Sequence, residues 1–154
     1  MDFNFDVTLK NRAIFKMFLE TISLENLNKV PEGFNNNIFW NVAHTVVTQQ
    51  LLVYKLSGLE SCLTDEFIDK YKKGTKTEHV ATQYEVDFVK SMLFSPVEKT
   101  QEDYKNGVFK SYNEYTVSTG STLVNVEGAI AFNNFHEGIH LGYILAQRKA
   151  LGLS

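Results

Sequence analysis

A chain of 154 residues with 44% apolar content suits one domain with a sizeable core, and a formal charge of −3 with scattered Lys and Arg gives no basic footprint for nucleic acid. No apolar run approaches the roughly 20 residues that span a bilayer, and the opening Met1-Asp2-Phe3-Asn4 has neither the basic nor the apolar part of a signal peptide. The expected setting is the cytoplasm without a membrane partner, and the single cysteine, Cys62, fits that reducing compartment while excluding internal disulfides and thiolate-cluster metal sites.

The first predicted element is a helix from Thr8 to Ile22, with Leu9, Ile14, Phe15, Phe18, Leu19 and Ile22 as a wide apolar face. Ser23 caps a short turn over Leu24–Lys29, which Pro31 and Gly33 end. Asn35-Asn36-Asn37 supplies caps for a second long helix, Ile38 to Ser57, and Gly58 stands where a left-handed residue closes it. Trp40, His44, Val47, Leu51 and Tyr54 recur along it at spacings of three and four, so His44 lies on a stripe that faces the interior. Thr64 caps a short helix over Asp65–Lys72, and Lys72-Lys73-Gly74-Thr75-Lys76 is a solvated loop. His79, with no ligand-type residue three or four away, reads as a surface histidine. Thr82-Gln83-Tyr84-Glu85 is a capping box, followed on one face by Val86, Val89, Leu93 and Val97, and Pro96 predicts a kink or an early break near Ser95 in a third helix that runs toward Tyr104. From Asn106 to Ser121 the pattern is aperiodic, a long ordered loop with an extended piece that serves either as a wall over a site or as side packing. Thr122 or Asn125 then caps the last helix, which ends by Gly152. Four long helices and no convincing set of strands predict one all-α domain over residues 1–154, an up-down four-helix bundle with a long loop before the last helix.

The chemistry concentrates in His136-Glu137-Gly138-Ile139-His140. Histidines four apart on a helix have Cβ atoms about 5–6 Å apart on one face, so both imidazoles can reach one ion. A third ligand must come from elsewhere, and buried His44 on the second helix is the candidate. By itself His44 also reads as a neutral core histidine bonded to a carbonyl or a buried water. Three neutral nitrogens leave an open position for water or substrate, the pattern of a reactive site, and imidazole suits zinc, nickel, copper and iron alike. The same string matches H-E-x-x-H, in which Glu137 is the general base of a zincin protease. The extended zincin pattern asks for glycine and histidine where Tyr143 and Ala146 stand, and no Asp, Glu or His follows His140, so Glu137 reads instead as a hydrogen-bond partner behind the ligands or as helix surface.

Trp40-Asn41-Val42-Ala43-His44 and Phe135-His136-Glu137-Gly138-Ile139-His140-Leu141-Gly142 resemble the two ligand segments of the DinB/YfiT-like superfamily, whose four-helix bundle carries one histidine from its second helix and a pair from its fourth. The resemblance implies a divalent metal, commonly zinc or nickel, held by His44, His136 and His140. It also implies frequent homodimers, a cytoplasmic bacterial setting, and thiol-dependent transferase or isomerase chemistry or hydrolysis. On that reading the partner is a small molecule together with a low-molecular-weight thiol. Tyr143 and Glu137 are the candidate catalytic side chains, Tyr143 as a donor to substrate one turn beyond His140, and Trp40 is a wall of the pocket. Two readings stand beside it: a metal that only staples the bundle of a binding or structural module, and three histidines hydrogen-bonded in a polar core without metal.

Overall fold

A computed structural model describes residues 1–153, and its chain order is dictated by helix ends that the sequence marks chemically. Helix α1 spans Asp2–Thr21 and so begins six residues before the predicted Thr8. Asp2 puts a carboxylate in the first turn, where the helix dipole favours it, and Phe5 buries itself one turn later. Ser23 caps α2, Leu24–Asn28, by accepting from the Asn26 amide. Asn37 does the same for α3, Ile38–Val53, where its Oδ1 accepts from Trp40 N at 2.7 Å. The predicted end at Ser57 divides into the end of α3 and a 3-10 turn over Lys55–Ser57, closed by Gly58 at φ +72°. Thr64 caps α4, Asp65–Tyr71.

The capping box of Thr82 and Glu85 opens α5, Gln83–Ser91, in which each side chain satisfies the other's backbone N–H. The third long helix then breaks, and α6, Ser95–Lys105, starts with Pro96 in its first turn, where a missing N–H costs nothing. Inside the predicted loop, β1 (Tyr115–Thr116) and β2 (Thr122–Leu123) pair antiparallel, Tyr115 opposite Leu123. Asn125, rather than Thr122, caps α7, Val126–Ala150.

Helix α3 is the central element. Every residue in it except Thr48 and Leu51 is buried, and it packs against α7, α2, α4 and α5. Helix α1 lies against α7, α5 and α6. Two apolar clusters result. One gathers Phe15, Phe18, Phe39, Val46, Leu93 and Ile144, and the other gathers Phe5, Val53, Tyr54, Val97, Leu123 and Ile130 toward the hairpin. The architecture is all-α apart from that two-stranded hairpin, and no described helix is long and apolar enough to cross a membrane.

Candidate metal centre

Helices α3 and α7 bring the three predicted histidines together. His44 Nε2 and His140 Nε2 each lie 3.2 Å from His136 Nε2, and the three candidate ligand atoms all fall within 4.8 Å of one another. His44 is buried, while His136 and His140 are half-buried. A four-coordinate ion with bonds of about 2.0–2.1 Å would hold neighbouring nitrogens about 3.3 Å apart, close to the two shorter edges of this triangle.

The other ring nitrogens show which form the imidazoles take. His44 Nδ1–H donates to the Tyr71 carbonyl. His140 Nδ1–H donates to Asn41 Oδ1 at 2.7 Å, and the amide of Asn41 is fixed because its Nδ2 donates to the Asn37 carbonyl and to Gln147 Oε1. Gln147 is anchored in turn to the Asn36 carbonyl. With protons committed to the outer nitrogens, both Nε2 atoms present lone pairs inward. His136 Nδ1 is buried without a partner among the described residues. Burial and the neighbouring histidines, with Arg12 beside them, depress His136 to about 2, and burial together with His44 depresses His140 to about 3. Burial also lowers His44, against the opposing pull of the Tyr71 carbonyl. The rings are therefore neutral near pH 7. Inward lone pairs on neutral rings fit a divalent cation, which satisfies all three at once.

Around this triangle the structure sorts the remaining candidates. Trp40 stacks on His44 with centroids 4.6 Å apart and planes 10° from parallel, and its indole N–H donates to Thr75 Oγ1. It packs behind His44 and is not among the residues that line the histidine cavity, where it was expected as a wall. Glu137 is not helix surface, and among the described residues it makes no hydrogen bond to the three histidines. It is fully buried and its Oε1 accepts from Arg12 Nε at 2.9 Å, Arg12 Nη2 at 2.7 Å and Asn133 Nδ2 at 2.9 Å. Consecutive helix positions point about 100° apart, so the residue after His136 turns toward α1 rather than toward the histidines. The base that a zincin mechanism needs is thus committed to an ion pair. Tyr143 is 54% exposed and meets Phe34 edge to face; it does not line the histidine cavity. Cys62 is an exposed free thiol. His79 is partly exposed but not isolated, because its Nε2 lies 3.1 Å from Tyr71 Oη and 3.3 Å from Glu85.

Sequence reasoning missed Thr48. Its Oγ1 stands 3.2 Å from His44 Nε2, and the signal was its position one turn after His44. Thr48 and Leu51, the two residues of α3 that are not buried, both line a cavity of about 440 Å³ that also takes in His44, His136 and His140. Arg12 was missed too, although it sits three residues before Phe15 on an apolar face. Among the described residues no histidine lines a second cleft, of about 530 Å³, near Met1, Tyr104 and Glu127.

The family model of the DinB superfamily matches residues 8–144, a span that contains all three histidines. No curated protein matches the chain.

Proposed function

The chain belongs to the DinB superfamily, and from that premise we propose that it is a metal-dependent enzyme acting on a small molecule, with His44, His136 and His140 as neutral ligands of one divalent cation, zinc or nickel. The observation that carries this reading is the convergence of three ring nitrogens at one wall of a cavity large enough for a small substrate. A cation held there supplies Lewis acidity, which acidifies a thiol or water that reaches it.

The chain's own residues do the rest. The Tyr71 carbonyl and Asn41 hold two rings in the tautomer that keeps Nε2 free. Thr48 Oγ1 is the hydroxyl placed to hydrogen-bond an incoming nucleophile beside His44. Trp40 covers the face of the His44 ring and keeps water from behind it. Leu51, Phe132 and Ile139 give the substrate an apolar wall. The reaction we favour is S-transfer, in which a low-molecular-weight thiol loses its proton to solvent and its sulfur bonds to an electrophilic carbon as that carbon's bond to a leaving group breaks, with hydrolysis as the variant in which water takes the thiol's place. We further read the helices as an up-down four-helix bundle in a cytoplasmic protein. The homodimer is proposed from the family resemblance alone.

Metal analysis of untagged protein tests the centre. Wild type should carry about one equivalent, and His44→Ala should lose it as completely as His136→Ala. A cobalt-substituted sample whose visible bands shift when a thiol is added then supports the open site. Bands that stay fixed would assign the metal a purely structural role, and wild-type protein without metal would end both readings.

A further inference from the structure

The histidines occupy one part of the cavity wall; two lysines occupy another. Lys55, from the 3-10 turn after α3, and Lys73, from the loop after α4, both line it, and both are exposed to solvent whereas His44 is buried. Among the described residues no Asp or Glu lines this cavity. That is a local reversal of sign in a chain with 18 acidic against 15 basic residues. Neither lysine forms an ion pair among the described residues, whereas six other lysines do. Apart from the histidines and lysines the wall is mostly apolar, with Leu51, Leu56, Val117, Phe132 and Ile139 among its residues. The hairpin of β1 and β2 contributes Tyr115 and Val117, so the segment that gives no helical signal closes one side of the cavity.

We infer that the substrate of this site is an amphipathic anion, with an apolar body against the leucine and phenylalanine wall, an acidic group held by Lys55 and Lys73, and its reactive end toward the histidines. Apolar burial supplies most of such a ligand's binding, and unpaired cations at the rim fix its direction of entry. The orientation rests on the metal-enzyme reading; the binding of the anion does not.

Calorimetric titration with octanoate, butyrate and octan-1-ol, using zinc-loaded and EDTA-stripped protein, separates the two. Octanoate should bind both forms. Butyrate, four methylenes shorter, should bind at least tenfold more weakly, and octan-1-ol, which lacks the charge, about tenfold more weakly. In Lys55→Gln/Lys73→Gln the octanoate affinity should fall about tenfold, with octan-1-ol binding and zinc content unchanged. The inference is overturned if octanoate binds neither form, if butyrate or octan-1-ol matches it, or if its binding vanishes with EDTA yet ignores the lysine substitutions, because the acid would then sit on the ion. Lysine-dependent binding to stripped protein would uphold the inference even if the metal proved not to be catalytic.

Discussion

Asn41 holds His140 through Oδ1 while Nδ2 is occupied by the Asn37 carbonyl and Gln147, so its amide cannot rotate without breaking three hydrogen bonds. Removing it frees His140 to take the tautomer with a proton on Nε2, which cannot bind metal. Asn41→Ala should therefore weaken zinc binding about 10–100-fold, measured by competition with a chelator, although Asn41 touches no ion. The histidines themselves make a second prediction. Their folded-state affinities for protons lie below the ordinary histidine value near 6.5, with His140 at about 3, so between those values the unfolded chain binds more protons than the folded one. Stability is then fully present above about pH 6.5 and falls as the pH is lowered toward 3. Thermal melts of EDTA-stripped protein should begin to lose Tm just below pH 6.5, and His136→Gln/His140→Gln should flatten that slope. The histidine cluster was legible because spacing and an apolar stripe mark its three members. Thr48 and Asn41 were not, since a polar residue one turn from a histidine looks like any other until its hydrogen bond is seen. The burial of Glu137 against Arg12 was not legible either, because its partner lies 125 residues away in the sequence.

Helices show the same division between local and distant causes. Most boundaries were legible because side-chain oxygens write them: Ser23, Asn37, Thr64, Thr82 and Asn125 each accept from the first turn of the helix they open. Pro96 wrote the break between α5 and α6. The early start of α1 was not marked by a cap, because the Met1 side chain accepts from no backbone N–H there; its first turn is held by burial of Phe5 and by Asn134 Nδ2, which donates to the Asn4 carbonyl. Least legible was what joins the helices. Arg12 of α1 is 1% exposed, pairs with Glu137 of α7, and donates from Nη2 to the Thr45 carbonyl of α3, so one side chain ties three helices. A buried pair is costly to break and far cheaper to replace whole, since a lone charge left inside has no compensation. Arg12→Ala should cost about 3–5 kcal/mol in urea unfolding, and Arg12→Met/Glu137→Met should recover most of that loss. If the double variant is as unstable as the single one, the pair contributes through geometry that methionine cannot imitate.

Across the molecule, the ion site joins the two elements that carry both apolar clusters. Helix α3 gives Phe39 and Val46 to one cluster and Val53 to the other, and α7 gives Ile144 to one and Ile130 to the other. The cavity beside the site needs α3, α7, the loop after α4 and the hairpin together, and such a surface has no signature in any one segment. A cation on His44, His136 and His140 therefore links parts of the chain 92 residues apart in the sequence, and only the folded state brings them together. Binding that is confined to the folded state stabilises it by RT ln(1 + [L]/Kd), about 4 kcal/mol at free metal a thousandfold above Kd. For a domain of this length each kcal/mol moves Tm by about 2–4 °C, so zinc should raise the Tm of stripped protein by roughly 8–16 °C in calorimetry. His44→Ala should abolish the rise, because the two remaining histidines belong to one helix and no longer join α7 to α3. A rise of the same size in that variant would mean that zinc stabilises the fold through the α7 pair alone, and α3 would contribute packing to the site but no ligand.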